Sequence, residues 1–135
     1  MEIKKFLDFL PTNFRHEKSF FIQNKLTDFE KLSNLSNVEI NEIQRKSSLC
    51  TLNNLKKIRS IAIFKKEIGI SPAQAYLLLH CGVSSIKSLS LSTPYELESK
   101  IARLERTLRV KTNTDTTFTL LKEWIQKASQ IYKSI

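Results

Sequence analysis

The sequence is poor in the residues that build tight turns: 135 residues include only two glycines and three prolines. An all-β sandwich or barrel needs many turns, in which glycine and proline are strongly preferred, so this scarcity argues against such folds. It also argues against the glycine-rich phosphate loops of nucleotide-binding folds, because Gly69 and Gly82 are too far apart to share one loop.

Cysteines and long apolar runs are also scarce. Two thiols, Cys50 and Cys81, do not make a disulfide framework, and we expect a reducing compartment.

No apolar run approaches the roughly 20 residues that span a bilayer. Asp8 interrupts the apolar residues near the N-terminus, which is unlike a secretion signal. The two histidines, His16 and His80, have no zinc-site spacing, so we expect neither a metal nor a cofactor.

Acidic residues are outnumbered by 22 lysines and arginines to 13 aspartates and glutamates, which gives a net charge of +9. Two segments hold the excess: residues 45–66 contain seven cations and no acid, and residues 100–111 contain five cations and one acid. A localised basic surface favours DNA, RNA or anionic lipid as a partner, and a solvated lysine-rich face is the alternative interpretation. In the second segment Arg103, Arg106 and Arg109 recur every three residues and predict a ridge along an exposed helix face.

Apolar residues recur at helical spacing through most of the chain, and no strand-like alternation persists. One such stripe is Leu52, Leu55, Ile58 and Ala62, and the stripe around Trp124 makes that residue part of the core. The pattern predicts an all-α protein of about seven or eight short helices. Ser-Pro and Thr-Pro pairs predict helices that begin at Pro72 and Pro94, since a hydroxyl caps the helix and proline suits its first position.

An internal repeat is visible at an offset of 57 residues. Residues 26–32 lie over residues 83–89, and with nine further residues of offset residues 51–62 lie over residues 117–128. Both the apolar positions and the helix caps match, which predicts two copies of one helical unit. The copies should pack into one small domain, because one copy alone is small for a core. The predicted repeats are residues 1–65 and 66–135.

Residues 69–83 read G-I-S-P-A-Q-A-Y-L-L-L-H-C-G-V. They resemble the helix-hairpin-helix motif, G-h-G-x-x-x-A-x-x-L-x-x-x-G-h, with Ser71 in place of its second glycine. The matching positions are Gly69, Ile70, Ala75, Leu78, Gly82 and Val83. The whole chain is similar to a family of uncharacterised helix-hairpin-helix-like proteins of cyanobacteria and algal plastids, classed as a domain of unknown function. The resemblance and the lysine-rich composition imply the plastid stroma or a bacterial cytoplasm.

In the helix-hairpin-helix family the hairpin presents backbone amides to a nucleic-acid phosphate without reading bases, as clustered amides at a helix N-terminus can. The resemblance implies contacts from Gly69, Ile70, Ser71 and Gln74, assisted by Lys65 and Lys66. The arginine ridge adds Arg103, Arg106 and Arg109. Other hairpins of this type only pack or bind proteins, and Ser71 then serves as a helix cap.

Neither a nucleophile–base pair nor a carboxylate pair stands out, so we expect a non-enzymatic protein with no catalytic residue and no small-molecule substrate. His80 is expected to be an ordinary polar residue at a helix end, and Cys81 a packing residue. The leading hypothesis is nucleic-acid binding without sequence preference, with DNA and RNA both open. The alternative is an adaptor or assembly factor, which the degenerate first hairpin and the phenylalanine-rich first third favour.

Overall fold

The computed structural model describes residues 6–108 and 117–133. Every regular element in these residues is helical, which confirms the all-α class predicted from the sequence. The chain divides into two compact units, Met1–Pro72 (the first unit) and Ala73–Ile135 (the second unit). The boundary predicted after residue 65 falls inside a helix that continues to Ile68.

The first unit contains two short 3-10 turns, Phe6–Phe9 and Thr12–Phe14, and four helices. These helices are α1 (Arg15–Gln23), α2 (Phe29–Ser33), α3 (Asn37–Lys46) and α4 (Leu52–Ile68). Both α2 and α3 pack against α4. In the predicted stripe Leu55, Ile58 and Ala62 are fully buried, while Leu52 is half-buried. A second stripe of α4 that contains Ile61 and Phe64 is also fully buried. α4 is therefore the helix around which the first unit is built.

The described residues of the second unit form four helices as well. They are α5 (Pro72–His80, whose first residue closes the first unit), α6 (Ile86–Ser90), α7 (Pro94–Leu108) and α8 (Phe118–Lys133). α6 and α7 pack against α8. Leu121 and Ala128 are fully buried and Trp124 is 4% exposed, which confirms that the tryptophan belongs to the core. Within the described ranges, no helix combines the length and the apolar character needed to cross a membrane.

Several helix starts have capping chemistry that the sequence predicts, but α2 does not: the sequence favours Thr27 as its cap, whereas the Asp28 carboxylate accepts the Glu30 N–H at 3.0 Å. At the start of α3 the Ser36 hydroxyl accepts the Glu39 amide N–H at 3.1 Å, while the Glu39 carboxylate accepts the Ser36 N–H at 3.1 Å. α7 begins at Pro94, and the Thr93 hydroxyl accepts the Glu96 N–H at 3.2 Å. α5 begins at Pro72, as predicted. These local interactions satisfy amide groups that the helix itself leaves without acceptors.

The two units have matching helix starts. Helices α1, α2 and α3 begin at residues 15, 29 and 37, and helices α5, α6 and α7 begin 57 positions later, at residues 72, 86 and 94. α4 and α8 begin at residues 52 and 118, which are 66 positions apart. Thr51 and Thr117 cap these last two helices, and each hydroxyl accepts an amide three residues on.

The turns that end α1 and α5 also match. Leu26 N–H donates to the Phe21 carbonyl at 2.8 Å, and Val83 N–H, 57 residues on, donates to the Leu78 carbonyl at 2.9 Å. In each turn the preceding residue is left-handed, with φ of 57° at Lys25 and 85° at Gly82. This is the Schellman arrangement that closes the C-terminus of a helix. The internal repeat stays a prediction, and the matching turns and helix starts support it.

Candidate phosphate-binding surfaces

The turn after α4 is the part of the chain that resembles a glycine hairpin. Gly69 is exposed and left-handed, with φ of 85°. Its N–H donates to the carbonyls of Phe64 (3.1 Å) and Lys65 (3.0 Å), and the Ile70 N–H also donates to Phe64 (3.3 Å). Both amides therefore close α4 and are not available to bind a phosphate. The Ile70 side chain is fully buried, so it contributes to the core.

Ser71 and Gln74 flank the start of α5. Both side chains are half-buried, and both already have interaction partners within the chain. Pro72, between them, has no N–H, so the first turn of α5 has one donor fewer than an ordinary helix N-terminus. Few of the amide and side-chain donors expected at residues 69–74 are therefore available to contact a phosphate.

The two lysines in the last turn of α4 have different environments. Lys65 is half-buried, and its ammonium lies 5.0 Å from the centroid of the Phe29 ring, a cation–π contact within the first unit. Lys66 is exposed. Positive charge is favourable here in any case, because the carbonyl end of a helix carries partial negative charge. Lys66 is the one of the pair that is free to meet a partner.

Other cations of residues 45–66 are dispersed. The Arg59 guanidinium donates to the Leu35 carbonyl at 3.1 Å and to the Asn37 side-chain oxygen at 3.0 Å, and so ties α4 to the start of α3. Arg45 and Lys46 are exposed at the end of α3. The seven charges that are clustered in sequence are therefore not one cluster in space, and Arg59 has a structural role.

α7 carries the more concentrated basic face. Lys100, Arg103 and Arg106 are all exposed, which agrees with the predicted ridge, while Arg109 lies outside the described residues. Lys100 pairs with Glu96 at 3.6 Å on the helix surface. Among the described residues, neither Arg103 nor Arg106 has a carboxylate partner.

A groove of about 230 Å³ lies between the end of α5 and one face of α7 (the α5–α7 groove). It is lined by His80, Cys81, Lys100, Arg103, Leu104 and Thr107. The last four follow the spacing i, i+3, i+4 and i+7, which places them along one side of a helix. The His80 ring stands edge-on against Tyr76, with centroids 4.5 Å apart. Neither His80 nor Lys100 is among the nucleic-acid-binding residues predicted from the sequence.

The Cys81 thiol is 8% exposed at the groove. Burial raises the pKa of this thiol, and the nearby Lys100 ammonium opposes that shift. Burial also raises the pKa of the Cys50 thiol in the first unit. A hydrogen bond with Ser47 lowers this pKa, and the Glu17 carboxylate raises it. Both cysteines are free thiols, and a raised pKa keeps them protonated and unreactive near neutral pH. In the described ranges no cluster of His, Cys, Asp and Glu could hold a metal ion.

Sequence reasoning missed the role of Glu17. Its side chain is 1% exposed, and its carboxylate accepts the Thr51 N–H at 3.0 Å and the Asn54 side-chain N–H at 3.2 Å. It thereby caps α4 from a helix distant in sequence. The only signal in the sequence is an acid that no local capping box explains, so its role depends on tertiary structure.

Comparison with known proteins gives one match. A family model described as "Domain of unknown function (DUF4332)" matches residues 11–131, so the chain belongs to this family. Neither a curated protein nor a solved structure gave a significant match.

Proposed function

We propose that this family member binds nucleic acid through backbone phosphates, without reading the base sequence. The observation that carries the proposal is the basic face of α7, where Arg103 and Arg106 are exposed and have no carboxylate partner in the described part of the chain. Unpaired guanidinium groups attract phosphate strongly, since the planar fork can donate to two oxygens at once.

Lys66 at the end of α4 adds an exposed cation in the first unit. The helix-hairpin-helix interpretation of residues 69–83 is part of the proposal, but the roles within it change. The Gly69 and Ile70 amides close α4, so side-chain cations supply most of the binding energy. Contacts from cations to phosphate position the chain on nucleic acid without specifying its sequence. The proposal treats the protein as a non-enzymatic component of the plastid stroma or of a bacterial cytoplasm.

The test compares two matched double variants on short DNA and RNA duplexes of unrelated sequence. Arg103→Gln with Arg106→Gln should weaken binding more than tenfold, because two charge-assisted contacts are lost. Arg45→Gln with Lys46→Gln removes the same charge from the end of α3 and should weaken binding by less than about threefold. Equal losses in the two variants would refute a phosphate-binding face on α7.

An adaptor or assembly function is the second candidate. The observation that favours it is the exposure of two large apolar side chains of the second unit, Leu91 at 70% and Tyr95 at 76%. The Tyr95 ring packs against Phe118 with centroids 4.9 Å apart, so this ring is held in place. Pull-down from native extract with and without nuclease separates the candidates: protein partners that survive nuclease and are lost in Tyr95→Ser favour the adaptor.

A further inference from the structure

We propose that the α5–α7 groove is where the second unit holds a backbone phosphate, and that the matching groove of the first unit does not hold one. This inference rests on the proposed nucleic-acid function and adds the position of the phosphate. It also separates the α7 cations into two classes. Lys100 and Arg103 line the groove, and Arg106 does not.

The first unit has a groove of about 160 Å³ (the α1–α3 groove). It is lined by Phe20, Asn24, Leu26, Leu35, Glu39, Glu42, Ile43 and Lys46. At the 57-residue offset, Asn24, Ile43 and Lys46 correspond to Cys81, Lys100 and Arg103, which line the α5–α7 groove. Each groove is thus formed by the end of the first helix of its unit and one face of the third.

The charges that line the two grooves are opposite in sign. The α1–α3 groove has two carboxylates, Glu39 and Glu42, against Lys46. The α5–α7 groove has Lys100 and Arg103, and none of the described residues that line it is an acid. At the offset of 57, Glu39 is retained as Glu96, which pairs with Lys100 without lining the groove, while Glu42 becomes Ser99 and the buried Ile43 becomes Lys100. The same framework therefore repels a phosphate in the first unit and attracts one in the second.

The chemistry of the α5–α7 groove fits a phosphodiester. Arg103 supplies a planar donor fork and Lys100 a compact positive charge, a combination suited to a tetrahedral anion. The Cys81 thiol is neutral near neutral pH, and burial raises its pKa further, so none of the described lining residues brings a negative charge to the phosphate. The exposed Lys100–Glu96 pair is weak enough to exchange, since such surface pairs contribute little.

The first test is nuclear magnetic resonance on the full chain labelled with ¹⁵N. A short DNA duplex should shift the amide signals of Cys81, Lys100 and Arg103, which line the α5–α7 groove. The signals of Asn24, Ile43 and Lys46, at the corresponding positions of the α1–α3 groove, should not move. This contrast makes the first unit an internal control within the same molecule.

The second test uses three single variants that each remove one charge. Arg103→Gln should weaken duplex binding about tenfold, as loss of a charged hydrogen bond to phosphate does. Lys122→Gln on the exposed side of α8, and Lys46→Gln at the corresponding position of the first unit, should each weaken it by less than about threefold. Urea unfolding of each variant shows that the fold is intact.

Three outcomes are decisive. Shifts confined to the α5–α7 groove, together with a loss specific to Arg103→Gln, support the inference. Wild-type binding with equal losses in all three variants overturns the groove assignment and leaves the proposed function standing. No binding of the wild type to duplex at low salt overturns both.

Discussion

Glu17 shows at the scale of single residues how a buried charge holds this fold together. Its carboxylate accepts hydrogen bonds from the Thr51 amide and the Asn54 side chain at the start of α4. Glu17→Ala should lower the free energy of unfolding by about 2 kcal/mol, because buried donors lose their acceptor. Urea denaturation measures this, with the exposed Glu42→Ala as control. A loss no larger than the control's would show that water replaces the carboxylate.

The Cys81 thiol gives a pH-dependent prediction. Burial raises its pKa in the folded chain above the ordinary thiol value of 9.0. The unfolded chain therefore loses this proton first, so the stabilising contribution is complete below pH 9.0 and is lost as the pH rises through the folded pKa. The stability difference between wild type and Cys81→Ser should shrink from about pH 8 to about pH 10. A difference that stays constant would contradict the raised pKa.

The roles of individual cations could not be predicted from the sequence. Lys65 and Lys66 are neighbours of one type, but only Lys65 lies over an aromatic ring. Arg59 looked like part of a basic segment, whereas its guanidinium bridges α4 to the start of α3. These differences arise from contacts between residues more than 20 positions apart, which neither composition nor spacing encodes.

At the scale of elements, the left-handed residue after α1 gives a stability prediction. Lys25 has φ of 57°, while Gly82 occupies the corresponding position after α5. A side chain makes this backbone conformation costly, and glycine removes the cost. Lys25→Gly should therefore raise the free energy of unfolding by about 0.5–1 kcal/mol, as thermal denaturation would measure. Gly82→Ala should have the opposite effect, and stabilisation by that change would contradict the argument.

Helix starts were predictable because caps are local. Ser36 with Glu39, Thr93 with Pro94, and Pro72 are each recognised within four residues of sequence, and the structure places helices there. The α5–α7 groove was not predictable in the same way. It depends on where the end of α5 meets the side of α7, which the sequence pattern of either helix leaves open.

At the scale of the whole molecule, the offset of 57 residues relates helix starts, turns and grooves of the two units. The predicted repeat rests on caps and apolar positions that recur together in the sequence. Of the three pairs expected to be equivalent and buried, Leu32 and Leu89 are both fully buried, Phe29 and Ile86 are both only half-buried, and Leu26 is half-buried where Val83 is buried. The charges that line the two grooves differ in sign. We connect this difference with phosphate binding by the second unit.

The salt dependence of wild-type binding to duplex DNA tests whether the protein binds nucleic acid through backbone phosphates. Each phosphate that the protein neutralises releases condensed counterions, so the logarithm of the association constant should fall linearly with the logarithm of salt concentration. The account predicts a slope of about −0.9 for each neutralised phosphate, the same for unrelated sequences, and a slope about one unit shallower in Arg103→Gln. Binding that does not change with salt, or no binding at low salt, would contradict it.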